Sequence, residues 1–199
     1  DTDCVYDGIS YAENDSAEHK AASLEAARKS VVLLKNDGIL PLDRSKLKTI
    51  AVIGPTADSQ MVLKGNYHGT ASEYITNLNG IREGAGHSVR ILFSEGCHLF
   101  KDRIESLARP NDRLAEAEAV AMLADVVVVC VGLDSTIEGE QGDTGNSVAA
   151  GDKKNLLLPE PQRKLIETLI KTGKPVITVL NAGSAIDLSM YEESLSAIL

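Results

Sequence analysis

Four carboxylate side chains fall within ten residues of the sequence, at positions 134 to 143. Glu138 and Glu140 stand two residues apart, so in an extended segment they emerge on one side, about 6.5–7 Å apart. Mutual repulsion and burial would raise the pKa of one of these carboxyl groups. General acid catalysis requires a carboxyl group that keeps its proton near neutral pH. The alternative interpretations are a solvated acidic loop and a cation site.

A second polar segment, residues 64–70, places Asn66, Tyr67 and His68 between two glycines. An amide, an aromatic ring and an imidazole together suit polyol recognition. The ring would stack on a sugar while the other two groups bind hydroxyls. The alternative interpretation is a turn that closes a loop.

Apolar runs predict the strands from which these loops leave. Residues 49–55 form a short apolar run that stops at Gly-Pro, and residues 126–131 are an uninterrupted β-branched run. The second run is typical of a strand buried on both faces. Further strands are predicted over 88–93, over 175–180 and from Ile198.

Helical periodicity predicts the elements between the strands. In the first helix, apolar residues recur every three or four positions from Ala17 to Leu34, and we expect it to end at Asn36 and Gly38. Further helices are predicted over 78–82, 114–124 and 161–173. The order of elements predicts an α/β fold with a mostly parallel sheet and helices on both faces, a three-layer αβα sandwich.

The place of the site follows from this architecture. In such sheets, ligands bind beyond the carboxyl ends of the strands. The loops that leave those ends, and should therefore hold the site, are 54–76, 94–111 and 133–155. The chain starts at Asp1 and stops as a strand begins. We therefore expect a piece of a longer protein, with a sheet that is incomplete at the C-terminus.

Composition excludes several classes of function. The 199 residues carry 29 acidic and 20 basic side chains, a formal net charge of −9, so neither nucleic acid nor a membrane is expected as a partner. The three cysteines form no CxxC pair, which disfavours a disulfide framework or a zinc site. The sequence has neither a dinucleotide-binding fingerprint nor a G-x-S-x-G nucleophile motif. No cofactor is predicted.

Several segments of the sequence resemble the second domain of glycoside hydrolase family 3. Residues 26–42 resemble the helix and turn that open that domain, and residues 50–55 its first strand. Residues 65–69 and the GLDxTxExE run that starts at Gly132 are similar to loops of the β-xylosidase-like branch. The other matching segments are 156–162, which reads LLLPEPQ, and 182–187.

The resemblance implies a fold and an activity. Members of this family are retaining exo-β-glycosidases with two domains. A (β/α)₈-type barrel carries an Asp nucleophile, and an (α/β)₆ sandwich carries the acid/base Glu on a loop. By this resemblance, residues 15–199 are the sandwich domain and residues 1–14 a lead-in. The barrel, which is the expected partner domain, lies outside the chain, so the chain alone should hydrolyse nothing.

The resemblance also assigns roles to residues. Glu140 takes the position of the general acid/base, with Glu138 as the second candidate. The substrate-binding positions are Asn66, Tyr67, His68 and Asp143. The implied substrates are β-linked oligosaccharides or glycosides with a terminal β-D-xylosyl or, second, β-D-glucosyl residue, with α-L-arabinofuranosidase as a side activity. The alternatives are a non-catalytic, flavodoxin-like binding module and a structural partner domain.

Overall fold

The computed structural model describes residues 4–65, 67–101, 111–138 and 153–199. The chain divides into two compact units, Asp1–Val32 and Leu33–Leu199. The first unit contains helix α1, Ala17–Ser30, whose N-cap is Ser16. The Ser16 hydroxyl accepts a hydrogen bond of 3.3 Å from the backbone N–H of His19, which satisfies one of the free donors of the first turn.

The second unit is built on a sheet that, in the described part of the chain, has six strands. They are β1 Lys35–Asn36, β2 Thr49–Ile53, β3 Arg90–Ser94, β4 Val126–Gly132, β5 Val176–Asn181 and β6 Ala197–Ile198. Their order across the sheet is β1-β6-β5-β4-β2-β3. The short β1–β6 pair is antiparallel, and the other pairs are parallel.

Helices cover both faces of this sheet. They are α2 Asn77–Ala85, α3 Asp112–Met122 and α4 Glu160–Lys171. Alternate side chains of β4 point to opposite faces, so Val127 and Val129 pack in the cluster that contains α3 and α4, whereas Val128 and Cys130 pack in the cluster that contains α2. The predicted α/β sandwich with a mostly parallel sheet is confirmed.

The predicted end of the first helix is wrong. The helix ends at Ser30, and the chain runs on to β1 instead of staying helical as far as Leu34. The backbone N–H of Leu34 donates to the carbonyl of Ile198 at 2.8 Å, and that of Asp37 donates to Ser196 at 2.9 Å. Hydrogen bonds to a distant strand therefore replace the helical ones, and local periodicity does not reveal them.

The three cysteines differ in their environments, which makes their reactivity a test of the fold. Cys130 lies inside β4, and burial raises the pKa of its thiol to about 12. Cys97 is also buried, whereas Cys4 is exposed. Because the thiolate is the nucleophile, we expect one thiol of the three to react with a chromogenic disulfide reagent in the native protein, and all of them in denaturant. Fast labelling of Cys130 in the native protein would contradict the buried position of β4.

The described residues contain no helix that is long and apolar enough to cross a membrane.

Candidate functional site

An open cleft of about 1090 Å³ lies at the carboxyl ends of three adjacent parallel strands, β2, β4 and β5. The residues that follow each of these strands contribute to its lining. They include Lys64, Gly65, Asp134, Glu138, Gly183 and Ser184. The chain passes from β2 to β3 on one side and returns to β4 on the other, so β2 and β4 flank the point where the strand order reverses. Parallel α/β sheets bind ligands at such a point.

Two of the three predicted loops reach this cleft. Residues of the loops 54–76 and 133–155 line it. The described residues of the third predicted loop, 94–101 and Asn111, do not line it, and residues 102–110 lie outside the described part. The segment after β5, residues 182–184, lines it instead. The sequence does not predict this segment as part of the site, because its small side chains carry no recognisable chemistry.

Two glycines let the strand ends pass close to their neighbours. Gly132 ends β4 with a φ of +139°, and Gly54 follows β2 with a φ of +130°. A Cβ at Gly132 would lie 2.6 Å from the carbonyl carbon of Asn181 and closer still to its oxygen. A Cβ at Gly54 would lie 2.8 Å from the carbonyl carbon of Cys130. Only glycine fits these positions, and each marks where a loop leaves the sheet toward the cleft.

The start of the loop after β4 is held by a buried amide. The Gln162 side chain, which is fully buried at 0% exposure, accepts a hydrogen bond of 2.7 Å from Gly132 N–H and donates one of 2.7 Å to Gly132 C=O. It also donates to the carbonyl of Leu99 at 2.6 Å. Both backbone groups of Gly132 are therefore satisfied where the strand ends, which sets the direction in which the loop departs.

Replacing Gln162 by leucine should lower the free energy of unfolding by about 2–4 kcal/mol, because it leaves the buried N–H and C=O of Gly132 and the half-buried carbonyl of Leu99 without this partner. Urea denaturation of the chain measures this change. The matched control is Gln60→Leu, since the Gln60 side chain is exposed; we expect it to change stability by less than about 0.5 kcal/mol. Equal effects of the two substitutions would contradict the role given to Gln162.

The next residues of the loop form a tight turn. Asp134 Oδ1 accepts hydrogen bonds from Thr136 N–H at 2.9 Å and from Thr136 Oγ1 at 2.5 Å. The Asp134 carbonyl accepts from the backbone N–H groups of Ile137 and Glu138, each at 3.0 Å. The turn carries the half-buried Glu138 into the cleft, where its two carboxylate oxygens accept from Gly183 N–H at 3.0 Å and Ser184 Oγ at 2.5 Å.

Asn181, at the end of β5, connects this strand to the loop after β2 and to the start of α2. Its Oδ1 accepts hydrogen bonds from Asn77 Nδ2 at 2.8 Å and from Thr56 Oγ1 at 3.2 Å. Thr56 belongs to the loop after β2 and Asn77 to the start of α2. The network therefore fixes the side of the cleft formed by residues that follow β2. No local signal in the sequence predicts the role of Asn181, because its partners lie more than one hundred residues away in the chain.

The predicted site residues fall into two groups. Asn66, Glu140 and Asp143 lie outside the described residues, so their roles stay predictions. Tyr67 and His68 follow Gly65, which lines the cleft, and both side chains are exposed, that of Tyr67 at 97%. In the same loop the Lys64 Nζ lies over the Tyr74 ring, 4.6 Å from its centroid.

The acidic residues in the described part of the chain do not form a group of three or more side chains that could hold a metal ion. Asp134 and Glu138 line the same cleft, but the Asp134 carboxylate caps its own turn and the Glu138 carboxylate receives two donors. Both groups therefore serve to organise the loop in this structure.

The chain is similar to known glycosidases over nearly its whole length. Residues 31–199 match the glycosyl hydrolase family 3 C-terminal domain. The chain is 36% identical to a β-xylosidase from Formosa agariphila over 94% of its length, and 35% identical to a periplasmic β-glucosidase from Salmonella typhimurium over 93%. It spans 25% of the length of each of these relatives.

Solved structures give the same result. A family 3 exo-β-xylosidase in complex with a xylobiose aziridine activity-based probe superposes with a TM-score of 0.80 at 30% identity, covering 98% of this chain and 23% of that one. A β-glucosidase from Erythrobacter marinus superposes with a TM-score of 0.78, also at 30% identity, covering 94% of this chain and 26% of that one. Both the sequence and the fold therefore place this chain in the glycosyl hydrolase family 3 C-terminal domain family.

Proposed function

We propose that this chain is the acid/base-bearing domain of a longer, retaining exo-β-glycosidase that removes terminal β-D-xylosyl or β-D-glucosyl residues. The observation that carries the proposal is the cleft at the carboxyl ends of β2, β4 and β5, into which the acidic loop leads from Gly132. Membership of the family supports the reaction class, and the relatives named β-xylosidase and β-glucosidase support the two sugars.

In this proposal Glu140 is the general acid/base. As the acid it protonates the glycosidic oxygen of the leaving group, and as the base it later takes a proton from the attacking water. An Asp nucleophile on a barrel domain of the same protein forms the glycosyl-enzyme between these steps. The two carboxyl groups of a retaining enzyme stand about 5–5.5 Å apart. In this proposal the barrel therefore packs beside the cleft, so that its nucleophile lies within this distance of the acid/base.

The loop after β2 is proposed to bind the sugar. Asn66 and His68 would hydrogen-bond to hydroxyl groups, and Tyr67 would stack on a ring. The side chain of Tyr67 is 97% exposed and follows two residues after Gly65, which lines the cleft, so its ring is accessible to a ligand there. Asp143, later in the acidic loop, is the fourth proposed substrate-binding residue.

The test is to assay the full-length protein that contains this chain on aryl β-D-xylosides and β-D-glucosides. Proton NMR of the first-formed sugar reports its anomeric configuration. We expect hydrolysis of at least one of the two glycosides with retention, whereas inversion or a lack of hydrolysis would overturn the proposal. The isolated 199-residue chain is the control, and it should show no turnover because this proposal assigns the nucleophile to the barrel domain.

A further inference from the structure

Glu138 is the predicted acid/base candidate that the structure describes, and its carboxylate is already engaged. Gly183 N–H donates to Oε2 at 3.0 Å, and the Ser184 hydroxyl donates to Oε1 at 2.5 Å. Each oxygen thus has its own donor on the segment after β5. A carboxylate accepts both bonds, whereas the protonated acid would carry a hydrogen on one of these oxygens and weaken one bond.

The backbone of Glu138 is held as firmly as its side chain. Its N–H donates to the Asp134 carbonyl at 3.0 Å, within the turn that the Asp134 carboxylate closes through Thr136. Glu138 therefore connects the turn after β4 to the Gly183–Ser184 backbone after β5. These two segments belong to neighbouring strands, and they form adjacent parts of the cleft wall.

The lack of a side chain at Gly183 allows the Glu138 carboxylate to lie close to the backbone. A Cβ at Gly183 would lie 3.2 Å from Glu138 Oε2, closer than an ordinary van der Waals contact, so the carboxylate would have to shift by a few tenths of an ångström. Gly183 thus allows a close approach of backbone and carboxylate. The short distance also leaves little room for a substrate atom between them.

We infer that Glu138 is a positioning residue that ties the acidic loop to Gly183 and Ser184. Its carboxylate holds the described part of this loop, residues 133–138, against the segment after β5 and does not itself transfer the proton. The inference rests on the proposed function, because it assigns the proton transfer to Glu140.

The test uses the full-length enzyme with Glu138→Gln, Glu138→Ala and Ser184→Ala. The glutamine carbonyl oxygen still accepts from Gly183 N–H, and its amide group still meets the Ser184 hydroxyl, which can reverse its bond. We therefore expect Glu138→Gln to lose less than about tenfold in kcat/KM and Glu138→Ala to lose about 100-fold, the scale of a 1 Å misplacement. Ser184→Ala, which removes one of the two bonds, should fall between them.

The pH profile separates positioning from proton transfer. If Glu138 only positions the loop, the alkaline limb of kcat/KM survives in Glu138→Ala, and added azide yields no glycosyl azide. Glu83→Gln, on the exposed face of α2, is the matched control, and its kcat/KM should equal that of the unmodified enzyme.

Three results would overturn the inference. The first is a Glu138→Gln enzyme whose kcat/KM is as low as that of Glu138→Ala. The second is the loss of the alkaline limb of kcat/KM in both variants. Either result would make Glu138 the acid/base and would leave the proposed glycosidase function standing. The third is full activity in Glu138→Ala, which would show that the contact has no role. Failure of the unmodified enzyme to hydrolyse either glycoside is a different outcome, and it rejects the proposed function itself. Thermal melts of each variant verify that it folds, and Ser184→Ala tests the same contact from its other side.

Discussion

Glu140→Ala in the full-length enzyme should reduce kcat/KM for glycosides with poor leaving groups by about 100- to 10,000-fold, the usual contribution of a general acid. Aryl glycosides with strongly acidic phenols need no proton, so formation of the glycosyl-enzyme from them should be spared. Its hydrolysis still lacks the base, so the intermediate should accumulate, and both kcat and KM should fall. Steady-state and burst kinetics on a series of aryl leaving groups measure these effects.

Azide and pH give two independent readouts of the same substitution. Azide needs no general base, so it should restore turnover and release a glycosyl azide of retained configuration. The unmodified enzyme requires the acid to be protonated, and its kcat/KM therefore falls as pH rises through the pKa of that acid. Glu140→Ala should lack this alkaline limb. If Glu138→Ala shows azide rescue and Glu140→Ala does not, the acid/base lies two residues earlier than proposed.

Gly132→Ala should have the largest effect on stability, a loss of more than about 4 kcal/mol, which is the range of severe backbone and packing defects. The φ of +139° is a conformation that alanine rarely adopts, and the new Cβ would overlap the Asn181 carbonyl. Neither strand can shift without loss of the β4–β5 ladder at the centre of the sheet. Thermal denaturation followed by circular dichroism should show a fall in Tm of about 10 °C or more.

Gly84→Ala is the matched control for this experiment. Gly84 lies within α2, where a Cβ would meet nothing within 4 Å. Alanine is a better helix former than glycine, so this substitution should leave the stability unchanged or raise it by about 0.5–1 kcal/mol. A Gly132→Ala protein as stable as Gly84→Ala would contradict the close approach of β4 and β5.

Part of the site could be predicted from the sequence because its residues are neighbours in the chain. The GLDxTxE run encodes a turn whose hydrogen bonds all fall within five residues, from Asp134 to Glu138. Sequence reasoning therefore placed Glu138 in a loop at the end of a buried strand. It did not separate Glu138 from Glu140, because residue type and spacing treat the two carboxyl groups alike.

Long-range contacts account for what was missed. Gln162 and Gly132 are separated by thirty residues, and Glu138 and Gly183 by forty-five. Gln162 belongs to the LLLPEPQ segment, but nothing in the sequence predicts that its amide forms hydrogen bonds with the N–H and C=O of Gly132 at the end of β4. Ser184 carries an ordinary hydroxyl, and its meaning comes only from the carboxylate that it contacts.

The first helix shows the same difference between local signals, which the sequence reveals, and long-range contacts, which it does not. The helical spacing begins at Ala17, which is a local signal, and the helix in the structure begins at the same residue. Its end was misplaced, because β1 exists only through pairing with β6, more than 160 residues further along the chain.

Local signals in the sequence predict the α/β class, the buried parallel strands, the edge of the sheet that holds the cleft and the family. These properties follow from periodicity, β-branched composition and short motifs, each of which acts over a few residues. The order of the strands and the partners of Gln162 and Asn181 become evident only in the folded chain. In the folded chain, the Glu138 carboxylate accepts hydrogen bonds from Gly183 and Ser184. The reason is physical: a hydrogen bond of 3 Å requires two groups to meet in space, and their separation along the chain leaves no local trace of that meeting.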